Sequence, residues 1–166
     1  MEKRLPPRIQ QWLNERGVTD AIIEAHGLDW NGKEIVIPVR DENNNHLFNK
    51  YRRDPEVSEG PKYRYEAGSK SALFGLPSLA NGGPVVICEG EFDALSLISK
   101  GFSAVSSTGG SGTFDQDWQE HFLNKEVFIC YDYDKPGFKG AYNVQSIIPW
   151  AKIIWLPSRI GEHGDI

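Results

Sequence analysis

The rhythm of hydrophobic and polar positions changes twice along this chain. Residues 8–16 (R-I-Q-Q-W-L-N-E-R) place Ile9, Trp12 and Leu13 on one helical face, behind Pro6 and Pro7 and ahead of Gly17, which predicts a short helix. Thr19 predicts the cap of a second helix through Ile22 and Ile23 that stops at Gly27. From residue 34 the pattern becomes that of strands: E-I-V-I-P-V, a turn at D-E-N-N-N, and a returning strand H-L-F-N-K-Y-R-R. Residues 54–71 are polar and irregular and predict an exposed loop, and Gly82-Gly83-Pro84 is the clearest boundary signal.

Beyond that boundary strands and helices alternate. Strand V-V-I-C leads into a helix over 92–99 that stops at Gly101, and S-A-V-S-S leads through T-G-G-S-G into a helix near 115–123. Strand E-V-F-I-C-Y precedes K-P-G-F-K-G and a helix near 141–148, and a last strand A-K-I-I-W-L runs into R-I-G-E-H-G-D-I. Such alternation predicts an α/β fold, a parallel sheet flanked by helices, over residues 84–166. Residues 1–83 then form a small α+β N-terminal subdomain.

Composition adds limits. A chain of 166 residues, 39% hydrophobic and 25% charged, is long enough for one sizeable core or two small subdomains sharing a boundary. No apolar run approaches membrane-spanning length, and the basic start M-E-K-R-L-P-P-R has no apolar stretch behind it, so neither a membrane partner nor a signal peptide is expected. Cys88 and Cys130 each lie inside an apolar strand and read as small buried hydrophobes of a reducing compartment; no C-x-x-C pair for zinc is present. The net charge of −5 weighs against a general nucleic-acid binder, yet it is unevenly spread. Residues 1–83 carry 12 acidic and 12 basic side chains, and residues 84–166 carry 11 acidic and 6 basic.

The acidic surplus has a focus. Glu89 closes V-V-I-C-E-G, while Asp132 and Asp134 close V-F-I-C-Y-D-Y-D, each at the end of a predicted parallel strand. Carboxylates emerging from neighbouring strand ends can converge on a divalent cation, and such cations handle phosphates. Asp132 and Asp134, two apart, would point to one side of an extended backbone. Ligands of such sheets bind outside the carboxyl ends of the strands. Asp93 reads equally as an outer acid of that site or as a first-turn residue favouring the helix dipole. The loop S-S-T-G-G-S-G-T at 106–113 offers amides to a phosphate or serves as a plain connection; it has no P-loop lysine.

E-G-E-F-D-A at 89–94 followed by D-Y-D at 132–134 resembles the Toprim domain of bacterial-type primases, type IA and II topoisomerases, some nucleases and recombination mediators. The upstream order I-V-I-P-V-R, a hairpin, P-K-Y-R and A-L-F-G-L resembles the catalytic core of DnaG-like primases, most closely those of phage helicase–primases and mobile elements. The resemblance implies RNA-primer synthesis on single-stranded DNA from ribonucleoside triphosphates, in the cytoplasm of a bacterial or phage-infected cell. Two Mg²⁺ or Mn²⁺ ions roughly 4 Å apart would be held by Glu89, Asp132 and Asp134, with Asp93 and Asp165 as outer candidates. Asp165 sits where related primases carry a further acid after the last strand.

The resemblance also implies a basic groove for template and nucleotide. Lys62 of P-K-Y-R is the best match, with Lys50, Arg52 and Arg53 as companions and Arg64 in the same cluster. An edge strand protected by charge explains Lys50–Arg53 as well, and Lys70 reads as a phosphate contact or a solvated loop lysine. Tyr51, Tyr63 and Tyr65 interleave with these bases and could stack on nucleobases or pack between subdomains. Related primases carry a zinc-binding module and a helicase or helicase-binding domain, so both are expected as partners in cis or in trans, and no zinc is expected in this chain. A Toprim nuclease and a non-catalytic replication module are the competing readings; a topoisomerase needs a nucleophilic tyrosine on a separate large domain for which there is no room.

Overall fold

The computed structural model describes residues 5–155. Helices α1 (Pro7–Glu15) and α2 (Asp20–His26) come first, then strands β1 (Asp29–Trp30), β2 (Glu34–Arg40), β3 (His46–Arg53) and β4 (Tyr63–Tyr65). Strand β5 (Leu73–Phe74) and a 3-10 helix over Leu76–Asn81 lead to β6 (Val85–Cys88), α3 (Glu91–Ser99) and β7 (Ser103–Ser107). A second 3-10 helix spans Gln116–Phe122, followed by β8 (Val127–Cys130), α4 (Lys135–Ile147) and β9 (Lys152–Ile153).

Two sheets result. The first has the order β1-β2-β3-β4, antiparallel throughout, and is built on the predicted hairpin, with a register shift between Val39 and Arg40. The second has the order β5-β7-β6-β8-β9 and is parallel except for the edge strand β5. That is the predicted α/β arrangement. Strand β5 lies ahead of Gly82-Gly83 in the chain yet pairs with β7, opposite Ser106 and Ser107. Behind it the chain turns sharply at Gly75 (φ +86), where an added Cβ would stand 2.4 Å from the Ala104 carbonyl oxygen.

Alternation along the central strands divides the apolar residues between two cores. On one face of the second sheet, Cys88 and Ala104 meet Phe92 and Leu95 of α3 together with Ile9, Leu13, Ile35 and Ile37 of the N-terminal part. On the other, Ile87, Val105 and Ile129 meet Phe122, Val144 and Ile148. The N-terminal part and α3 thus share a single core, so the two sheets are welded by apolar packing. Cys88 and Cys130 are free, buried and directly opposite one another in register. Among the described residues no helix is long and apolar enough to cross a membrane.

Three local expectations change. The polar stretch 54–71 contains a strand after all: β4 pairs with β3, Lys50 opposite Tyr65 and Arg52 opposite Tyr63. The helix expected near 115–123 is a 3-10 helix, opened by Asp115, whose side chain accepts the Asp117 N–H at 2.9 Å. Thr19 occupies the N-cap position of α2, but its hydroxyl caps nothing; its N–H instead donates to Ser99 Oγ at 3.1 Å, tying α2 to α3.

Candidate active site

Strands β6 and β8 run parallel with Cys88 opposite Cys130, so the residues just beyond them leave the sheet side by side. Glu89 follows Cys88 directly, and Asp132 lies one residue beyond the buried Tyr131. Glu89 Oε2 accepts the Asp132 N–H at 3.2 Å, which draws its carboxylate to the neighbouring strand end. Partial burial, then the negative charges of Asp132 and Asp134, push the Glu89 carboxyl above its ordinary range. Asp93, in the first turn of α3, accepts the Gly90 N–H at 3.1 Å, which closes that helix start.

Asp134 sits at the same end of the sheet with a local task. Its Oδ1 accepts the Gly137 N–H at 2.7 Å, capping α4. Gly137 is required there, because an added Cβ would lie 2.1 Å from the Asp132 carbonyl oxygen. Glu89, Asp93 and Asp132 line a cleft of about 270 Å³, while Asp134 is not among its walls. Among the described residues no group of three His, Cys, Asp or Glu side chains is arranged to hold a metal ion. Asp165, the last predicted acid, lies outside the described residues.

The opposite wall comes from the first sheet and α1. Lys62, exposed, contributes its ammonium, Tyr63 and Tyr65 contribute rings, and Arg16 enters from the end of α1. The floor includes Thr108, Gly109 and Gly110 of the glycine-rich loop. Tyr65 donates its hydroxyl proton to the Thr108 carbonyl, and Thr113 Oγ1 donates to the Gly110 carbonyl at 3.0 Å, so the loop is held from both sides.

Lys50 has a different position from Lys62. It is buried, its Nζ 2.6 Å from Glu91 Oε1, 2.7 Å from the Thr108 carbonyl and 4.4 Å from the centre of the Tyr63 ring. Burial pushes the Glu91 carboxyl up and Lys50 pulls it partly back. This pair fastens β3 to the start of α3 at the back of the cleft. Other predicted cations are spent inside the first sheet. Arg64 grips Glu34 with two nitrogens, at 2.7 Å and 2.5 Å, and lies 3.8 Å over the Tyr51 ring. Arg53 donates to the Ser58 and Gly60 carbonyls, and buried Arg52 lies against the Trp12 and Tyr63 rings. Lys70 is exposed and does not line the cleft.

Two cleft residues are absent from the sequence-predicted site. Arg16 precedes a helix-stopping glycine and looks like any solvated helix-end cation; only the fold brings it to the cleft wall. Glu91 lies within the E-G-E-F-D motif, and its signal was the apolar neighbourhood, since Phe92, Ala94 and Leu95 around it are all buried.

The fold is that of the Toprim class, and residues 86–162 match the Toprim-like family. The "Gene 57 protein" of Mycobacterium phage D29 is 32% identical over 117 residues, 65% of this chain and 70% of that protein. The "DNA primase" of Chlamydia pneumoniae is 27% identical over 173 aligned positions, 93% of this chain but 29% of that protein. Among solved structures, the DnaG primase catalytic domain bound to ssDNA superposes with a TM-score of 0.75 at 18% identity, over 96% of this chain and 66% of that one. The chain belongs to the family of phage and bacterial DnaG-like primase cores built on a Toprim domain. It spans less than a third of the chlamydial primase and about two-thirds of the DnaG domain.

Proposed function

We propose that this chain is the catalytic core of a DNA primase, making short RNA primers on single-stranded DNA by nucleotidyl transfer. One observation supports this above the others: a single cleft sets the strand-end carboxylates Glu89 and Asp132 opposite the cations Lys62 and Arg16. Acids alone would suit any metal-dependent phosphate chemistry; acids facing cations and the exposed ring of Tyr65 suit a substrate that is polyanionic and carries bases.

The donor set fits a hard divalent cation. Both cleft carboxylates are oxygen-only donors, and Mg²⁺ is commonly held by one or two carboxylates plus substrate phosphates, with water completing its shell. Glu89, crowded by two like charges and partly buried, would be relieved by such an ion. Glu89 and Asp132 are therefore the residues that would hold Mg²⁺ or Mn²⁺, with Asp134 and Asp93 beside them and Asp165 as a further acid of the same set. When bound, the cation supplies Lewis-acid activation of a 3′-hydroxyl and charge neutralisation at the leaving pyrophosphate.

Every other contribution comes from the chain. Lys62 and Arg16 bind triphosphate or template phosphates and position them, an electrostatic effect strengthened by the half-enclosed cleft. Lys50, Arg52, Arg53 and Arg64 act one step back, by holding the first sheet rigid beneath Lys62, and Lys70 extends the basic surface on the loop. Asp132 and Glu89 keep a common orientation because one accepts the other's backbone N–H. In the net reaction a bond forms between the 3′-oxygen and the α-phosphorus. The α–β phosphoanhydride bond breaks, pyrophosphate leaves, and the hydroxyl proton passes to solvent. A zinc-binding module and a replicative helicase complete the proposed assembly, in cis or in trans.

The test is a primer-synthesis assay with mixed single-stranded templates, labelled ribonucleotides and Mg²⁺ or Mn²⁺, read on one gel with template integrity. Short labelled oligoribonucleotides that disappear in Asp132→Asn are expected. Metal-dependent shortening of the template, without labelled product, would transfer the protein to the nuclease class.

A further inference from the structure

We propose that one face of α4, joined by Tyr133 and Trp155, is a stacking platform for single-stranded DNA beside the acid site. This rests on the reading of the chain as a template-directed polymerase and adds a second stretch of contact to the cleft. At 100° per residue, Lys135, Phe138, Lys139 and Tyr142 fall within an arc of about 100° on α4. Their rings continue off the helix in an unbroken series. Tyr133 meets Phe138 edge-on at 5.1 Å, Phe138 meets Trp155 at 4.8 Å, and Trp155 meets Tyr142 at 5.9 Å.

None of these four rings belongs to either hydrophobic core. Tyr142 is 59% exposed and Trp155 38% exposed, so ring faces remain open to solvent even after mutual packing. Along α4 the charge has one sign, whereas Asp132 and Asp134 flank Tyr133 at the end nearest the acid site. Lys135 and Lys139 are exposed with no ion-pair partner among the described residues, and α4 contains no Asp or Glu. This occurs in the half of the chain where acids outnumber bases 11 to 6.

Open aromatic faces interleaved with lysines match a strand that offers unpaired bases and regularly spaced phosphates. A duplex keeps its bases stacked and cannot use the rings, and a protein partner or second copy would have no need of two lysines set among them. Placement identifies the strand as the template. Tyr133 stands between Asp132 and Asp134, so the platform begins on the turn that carries the acids, and a template reaching the cleft would pass over it.

The experiment is fluorescence anisotropy of labelled oligo(dT) with the whole chain over a salt series, for wild type, Tyr142→Ala, Tyr142→Phe and Lys135→Ala/Lys139→Ala. Circular dichroism and melting confirm that each variant is folded. Loss of one stacked base contact is expected to weaken Tyr142→Ala about tenfold, while Tyr142→Phe keeps the ring and the affinity. Removing both lysines should weaken binding and reduce the slope of log K against log salt by about 1.4. Unchanged affinity in folded Tyr142→Ala together with an unchanged slope in the lysine variant would overturn the platform, as would a wild-type chain that does not bind oligo(dT). Unchanged DNA affinity accompanied by loss of self-association in Tyr142→Ala would overturn it too, in favour of a second copy as the occupant. Retention of primer synthesis by Asp132→Asn would refute the active-site reading, and leaves the anisotropy result to decide the platform by itself.

Discussion

The two sheets of this molecule hold their charged side chains by opposite means. In the parallel sheet, backbone amides position the acids: the Asp132 N–H for Glu89 and the Gly137 N–H for Asp134. In and beside the antiparallel sheet, carboxylates hold several cations: Asp54 for Arg8 of α1 and Glu34 for Arg64, while Glu91 reaches across from α3 for Lys50. A carboxylate fixed by one N–H keeps most of its lone pairs and its full charge for an incoming ion. A guanidinium fixed by a carboxylate has surrendered both. On the proposed reading the acidic half is organised for a ligand, while most cations of the basic half are engaged in its own rigidity. Lys62 stands apart, exposed on the cleft wall with no ion-pair partner among the described residues.

That contrast can be broken at graded cost. The largest stability loss is expected at the buried Lys50–Glu91 pair, which joins the halves. Lys50→Ala leaves the Glu91 carboxyl buried without its cation, to be held charged or protonated in an apolar site, which should cost up to about 3–5 kcal/mol by urea denaturation. Replacing both residues together with apolar ones of similar volume should recover most of it; a loss as large in the pair as in the single variant would show that packing, not charge, dominates there. Next, Gly137→Ala forces a Cβ against the Asp132 carbonyl and should cost about 1–3 kcal/mol. Because the displaced backbone carries an acid, synthesis should fall further than stability predicts, and parallel losses would separate that turn from the active site.

A smaller effect depends on pH. The Arg8 hydrogen bond holds the Asp54 carboxyl below its ordinary range, and Arg64 does the same for Glu34. A carboxyl depressed in the folded state adds stability that is complete above its unfolded pKa, about 3.9 for Asp and 4.3 for Glu, and is lost as pH falls through the folded value. Acid unfolding should therefore steepen below about pH 4. Arg8→Ala and Arg64→Ala should each flatten that limb, and unchanged acid limbs would mean that these pairs persist in the unfolded chain or contribute nothing. The smallest stability change is expected at Lys62, where alanine should stay within about 0.5 kcal/mol of wild type. Its nucleotide or template affinity should nevertheless fall, which is the signature of a cation not used by the fold.

Much of this was legible in the sequence for local reasons. The strand–helix alternation after residue 84 and the hairpin of β2 and β3 follow from period and turn chemistry, and the positions of Glu89 and Asp132 follow from strands that end there. What escaped depended on partners distant in the chain. β4 is three residues long and acquires its meaning only against β3, and Tyr63-Arg64-Tyr65 in a polar stretch carried too little periodicity to mark it. The basic cluster was visible as composition, but its division into Lys62 in the cleft, Lys50 behind it and Arg52, Arg53 and Arg64 in the sheet depends on carboxylates and carbonyls supplied elsewhere. Asp134 shows the same limit in reverse. The D-x-D spacing read it as closing the strand, but β8 ends at Cys130 and Asp134 stands at the start of α4, where its carboxylate accepts the Gly137 N–H.

The central claim is that the two halves divide the work, carboxylates for metal and Lys62 for the polyanion. Titration calorimetry of Mn²⁺, then of nucleotide in its presence, tests this most directly with Glu89→Gln and Lys62→Ala side by side. The account predicts that Glu89→Gln loses Mn²⁺ binding while Lys62→Ala keeps it and binds nucleotide more weakly. Equal Mn²⁺ affinity in Glu89→Gln and wild type would contradict it, and so would nucleotide affinity left intact by removal of Lys62.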